Sequence, residues 1–252
     1  MDKYGSDYCT VVSKGTFELS RGREEASLAA EQLPLCHSDR FSGEPGESSI
    51  VYEADRCPAK PGTDVVLVGH AVSSKSVVEH DVTVRAGTLA YAIRVFGDRT
   101  WYKALGEWQM SDPRPFTSMP LVYERAFGGT DTSSDDSGEH GWEQRNPIGT
   151  GFALRSDSAH IDGMGLPNLE DPGCLIAAPT DCPPPAGVGF IGRHWLPRAT
   201  YAGTYDDAWG SERCPLLPLD FDDRYFNSAH PRLVSDRHFR GGEKVNVTGS
   251  TR

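Results

Sequence analysis

No stretch of this 252-residue sequence stays apolar for long. A run such as Val65-Val66-Leu67-Val68 falls far short of the roughly 20 residues a membrane-spanning helix needs. Runs of Lys or Arg are also lacking: 25 basic residues against 36 acidic ones leave a net charge of −11. Nucleic acid and anionic membrane surfaces are therefore not expected partners, because both are held by clustered cations. The acidic balance suits solubility or a basic partner. Cysteine is sparse, with six residues, and Met1-Asp2-Lys3-Tyr4-Gly5-Ser6-Asp7 has no apolar core of an export signal. Reduced thiols in a cytoplasmic protein are expected, not a disulfide scaffold.

The common chemical motifs are missing as well. There is no Gly-x-x-x-x-Gly-Lys-Ser/Thr loop, no Gly-x-Ser-x-Gly elbow, no His-Glu-x-x-His and no Cys-x-x-Cys. Gly187-Val188-Gly189-Phe190-Ile191-Gly192 carries the letters of a dinucleotide-binding loop. A proline run precedes it, however, and Pro197 follows closely, so neither the strand nor the helix that such a loop joins is expected. Cys36-His37 with Cys57, and Cys174 with Cys182, have no metal-site spacing and read as structural or buried thiols. Asp131, Asp135, Asp136 and Glu139 lack the order of a calcium loop and read as a solvated acidic segment. No carboxylate pair is singled out by spacing. No catalytic, cofactor-binding or metal-binding residue is therefore expected.

What is present is the composition of a folded chain, 37% hydrophobic with 27 glycines. Leu89, Tyr91, Ile93 and Val95 alternate with Ala90, Ala92 and Arg94, the period of a half-buried strand. Further strands are expected over Cys9–Leu19, Ser49–Glu53, Asp64–Ala71 and Met119–Ala126, with Gly97-Asp98 as a hairpin turn leading to Thr100-Trp101-Tyr102. Residues 127–200 are rich in Gly and Pro, with Thr130–His140 an exposed polar loop. A helix is expected from Asp206-Asp207 towards Arg213, and a second short one over Asp223–Ala229. The expected fold is mainly β, a two-layer sandwich with long Gly/Pro-rich loops and one or two short helices. It forms one domain over 1–252, strand-rich in 1–129 and loop-rich in 130–252.

An ordered series of blocks is more specific than any single motif. It includes Val12-Ser13-Lys14-Gly15-Thr16-Phe17, Lys60-Pro61-Gly62-Thr63-Asp64-Val65 and Met119 through Gly129 (MPLVYERAFGG). Asn146-Pro147-Ile148-Gly149, Leu166-Pro167-Asn168-Leu169-Glu170 and Gly192-Arg193-His194-Trp195-Leu196-Pro197-Arg198 follow. Leu217-Pro218-Leu219-Asp220-Phe221-Asp222 and Gly241-Gly242-Glu243 complete it. The series resembles the bacterial family catalogued as domain of unknown function 2169, across nearly the whole chain.

That resemblance implies a cytoplasmic adaptor chaperone of type VI secretion. Its implied partners are a secreted effector protein, a PAAR or PAAR-like protein and the VgrG spike, with no cofactor and no catalytic residue set. The ends look trimmed relative to the family. Candidate partner-binding residues are Trp142, Arg193, His194, Trp195, Tyr205 and Trp209, since Trp, Tyr and Arg are enriched where interfaces carry energy. The same aromatics, set beside Gly and Pro, can instead pin irregular loops to a core. Another docking route is strand addition at a free sheet edge. The alternatives are a hydrolase or carbohydrate-active enzyme using Glu124 with Asp206 or Asp220 with Asp222, and a structural component secreted with the spike.

Overall fold

The structure, a computed structural model, describes residues 2–19, 25–156 and 159–251. The strands of its main sheet and of the pairs around it include β1 (His70–Val77), β2 (Glu79–Ala86), β3 (Leu89–Phe96), β4 (Trp101–Ala104), β5 (Glu107–Met110), β6 (Phe116–Pro120), the two-residue β7 (Leu169–Glu170) and β8 (Val245–Thr251). Among the described residues two short α-helices form, α1 (Leu196–Ala199) and α2 (Asp207–Glu212). The chain is mainly β.

The alternation in β3 does what period-two patterning requires. Tyr91, Ile93 and Val95 are buried and stand directly opposite Val84, Val82 and His80 of β2. Asp81 and Arg94 pair across the other face at 2.9 Å. Gly87-Thr88 closes this hairpin, with Gly87 at φ 57°, the conformation a two-residue loop of this type needs at its first position. β8 and β7 flank the hairpin to give a four-stranded antiparallel sheet in the order β7-β3-β2-β8. β8 pairs with β2 over its whole length without a register shift.

The sheet's apolar face is covered by the two-stranded β1–β6 pair and by irregular segments, and among the described residues not by a second large sheet. Met119, Tyr123, Val188, Ile191 and Leu233 meet Val82 and Ile93 in one cluster, so both halves of the chain share it. Burying each such side chain contributes about 1.5–3 kcal/mol. A second cluster gathers Trp101, Phe127, Ile161 and Leu166.

Several local expectations are corrected. Gly97-Asp98 is not a hairpin turn. Gly97 donates its N–H to Val78 O (3.0 Å), and a Cβ placed on it would lie 1.7 Å from Arg114 O, so glycine is needed for a backbone crossing. The hairpin falls later, at Leu105-Gly106 between β4 and β5, with both residues at positive φ (52° and 89°). Met119–Ala126 leaves its strand at Pro120 and enters a 3-10 turn over Tyr123–Arg125. Val65 and Leu67 donate N–H groups to Leu233 O and Val188 O instead of joining a strand with Ala71. Within Cys9–Leu19 only Phe17–Glu18 forms a strand. Asp223–Ala229 gives a 3-10 turn over Asp223–Phe226. All six cysteines are free thiols, yet only Cys36 is buried, and Cys9, Cys174, Cys182 and Cys214 are exposed. Among the described residues no helix is long and apolar enough to cross a membrane.

Candidate functional site

The six residues proposed from sequence occupy three places. Trp142 sits on a two-residue strand opposite Thr130 and is 56% exposed. Tyr205 and Trp209 meet edge to face at 4.7 Å at the start of α2. There the Trp209 indole donates to Leu216 O (2.9 Å), while Asp206 caps the helix by accepting from Trp209 N (2.8 Å). Arg193 and His194 are exposed and line a small notch of 80 Å³ with Asp39, Ser48 and Ile50.

Trp195 is a correction. It is 3% exposed and packs edge-on against the buried Tyr123 ring at 5.2 Å, because it faces the core just before α1. Arg193 is also internally engaged, bridging Asp39 (3.2 Å) and Glu53 (3.5 Å). Glu53 is held in turn by buried Arg198 at 2.7 Å, which also donates to Tyr225 O and Ile191 O. This network binds the first half of the chain to the second.

The glycine-rich segment has a packing role. A Cβ on Gly187 would lie 2.4 Å from the Tyr123 ring, and one on Gly192 would lie 2.7 Å from the Trp195 indole nitrogen. These glycines let the backbone lie against two aromatic faces. The carboxylates considered for acid–base chemistry are each held structurally. Glu124 accepts from the Ser49 N–H and hydroxyl, and Asp220 accepts from Thr204 N–H (3.0 Å) and hydroxyl (2.7 Å). Asp222 pairs with Arg224 at 2.7 Å. Among the described residues no group of three His, Cys, Asp or Glu could hold a metal ion.

Asp131, expected in a solvated loop, is buried. Burial pushes its carboxyl up, but N–H groups of Leu154 and Ser133 and the Ser133 hydroxyl bring it below the ordinary value. It fastens the base of the 130–142 loop.

One concavity was not anticipated from the sequence. It is a groove of 610 Å³ lined by Tyr8, Thr10 and Val12 on one side and by residues 35–37 and 55–58 on the other. Residues 7–15 form a strap along it and make no backbone–backbone hydrogen bond among the described residues. The strap is fastened instead by side chains: Thr10 donates to Pro58 O (2.8 Å), and Lys14 pairs with Asp55 (2.8 Å) over the Tyr52 ring. Burial raises the Asp55 carboxyl, yet the Cys36 N–H and the Lys14 ammonium hold it below the ordinary value. Burial likewise pushes the Cys57 thiol up. Of the groove lining, Tyr8, Val12 and Leu35 are exposed apolar side chains, and Val11 and Leu33, nearby in the chain, are exposed as well.

A family model described as "Uncharacterized protein conserved in bacteria (DUF2169)" matches residues 4–252. The chain belongs to this family. No curated protein and no solved structure matches it. Several blocks that carry the family likeness prove to be structural. Asn146 is fully buried and donates to Tyr123 O (2.8 Å) and Phe127 O (3.0 Å). Gly128, at φ 151°, and Gly149 pack so closely on Asn146 that a Cβ on either would clash. The groove lies partly in the Val12–Phe17 block of the same family series.

Proposed function

We propose that this chain is a cytoplasmic adaptor of type VI secretion, one that binds an effector or its PAAR-containing segment and helps load it onto the VgrG spike. Family membership supplies the context through the resemblance described above. The observation that carries the binding role is the groove beside the strap at residues 7–15, where exposed apolar side chains adjoin backbone groups that have no backbone partner among the described residues. Apolar side chains recover free energy when a partner covers them, at about 25 cal/mol per Å². Unpaired N–H and C=O groups can accept an added strand.

The test is capture of the tagged chain from its own bacterium under conditions where the secretion cluster is expressed. The proposal expects one effector or PAAR protein in near-stoichiometric amount, and binding reproduced with the two purified proteins. It also expects the chain to stay in the cell while its client is secreted. Recovery of the chain in the secreted fraction alongside VgrG would instead support a structural component of the spike.

A further inference from the structure

We infer that the groove takes an extended, mainly apolar segment of a partner protein that carries an acidic side chain opposite Arg56. This deepens the adaptor reading and rests on it for the identity of the partner. The volume, 610 Å³, lies within the roughly 300–1,000 Å³ of clefts that enclose a ligand. Tyr8, Val12, Leu35 and Pro58 give it apolar walls, and along one side runs the strap, whose backbone groups make no backbone–backbone hydrogen bond among the described residues. An extended segment satisfies both at once, with backbone bonding to the strap and alternate side chains entering the groove.

The charge at the groove runs against that of the chain. Overall the chain carries −11, which points to a basic partner. Of the charged groups lining the groove, Asp55 is already neutralised by Lys14 and by the Cys36 N–H. Arg56 is exposed and makes no ion pair among the described residues, and His37 stands exposed beside it in the lining. Among the described lining residues, the charge left without a partner is therefore the Arg56 cation. A second copy of this chain is the less fitting occupant, because two bodies of net charge −11 repel.

The probes are three capped ten-residue peptides of alternating Val and Thr with Glu, Gln or Lys at the centre, titrated by fluorescence anisotropy against the full chain. The Glu peptide is expected to bind about fivefold tighter than the Gln peptide, the upper range for an exposed ion pair, and tighter still than the Lys peptide. High salt is expected to erase the preference. Arg56→Gln should remove it, and Val12→Asp should abolish binding. Both variants should melt like wild type, since these side chains are exposed. Equal binding of Glu and Lys peptides, a preference that survives Arg56→Gln, no binding of any peptide, or a concentration-dependent dimer lost in Val12→Asp would each overturn the inference. A client captured equally well by Val12→Asp overturns the groove and leaves the adaptor reading standing. Glu selectivity without any client does the reverse.

Discussion

His230 should make the fold lose stability well before ordinary acid unfolding. Its imidazole stacks on Tyr91 at 4.2 Å and 9° and caps the 3-10 turn over Pro231–Leu233, accepting the Arg232 N–H at Nδ1 (3.2 Å). A protonated ring cannot accept there. Burial first, then the nearby Arg232 cation, lower its pKa from 6.5 to about 4, against a smaller opposing effect of Asp171. The folded pKa is depressed, so the unfolded chain binds the proton more readily. The His230 contribution is then fully present above about pH 6.5 and is lost as pH falls towards 4. From those two values, the loss by pH 4.5 is about 2.5 kcal/mol. The assay is urea unfolding of wild type and His230→Phe between about pH 7.5 and 4.5. Phe keeps a ring against Tyr91 but does not titrate. The variant starts less stable, having lost the cap, and the gap to wild type should narrow by about 2.5 kcal/mol across the range. A gap that stays constant would refute the reasoning.

The remaining predictions concern packing and charge. Gly97→Ala should cost about 2–4 kcal/mol through the clash with Arg114 O. Gly210→Ala, in α2 with open space around it, should instead stabilise by about 0.5–1 kcal/mol, so paired denaturation curves moving in opposite directions are the check. Arg99 and Glu170 form a buried ion pair, with Arg99 also donating to Pro167 O and Glu170 accepting from Ile176 N. Arg99→Met alone should cost about 3–5 kcal/mol, and adding Glu170→Met should recover much of it, as read from a double-mutant cycle. Asp206→Ala should destabilise by about 1 kcal/mol, measured by thermal unfolding, through loss of the α2 cap.

Where local chemistry decides the structure, the sequence was readable. β3 follows from an uninterrupted alternation, Ile50–Tyr52 from its β-branched and aromatic run, and α2 from Asp206 with Pro215 limiting it. β2 was missed although His80, Val82, Val84 and Ala86 alternate, because Glu79, Asp81 and Arg85 between them make the segment look polar overall. Gly97 misled for a different reason: a glycine required by a distant carbonyl looks the same in sequence as one required by a turn. Trp195 is an interface candidate by residue type alone; its neighbours Gly192 and Pro197 equally suit an aromatic that pins a loop to the core, and Tyr123, far away in the chain, is what buries it. The groove draws on residues 8–12, 35–37 and 55–58. No spacing within one segment could reveal it.

The central claim is that the groove is where a client is held for secretion. It is tested most directly by deleting the gene, restoring either wild type or Val12→Asp, and measuring the captured client in the secreted fraction. An effector carried by an unrelated spike serves as control. The account predicts that wild type restores secretion of the client while Val12→Asp, present at equal level in the cell, does not, with the control effector unaffected. Full secretion of the client with Val12→Asp would contradict it.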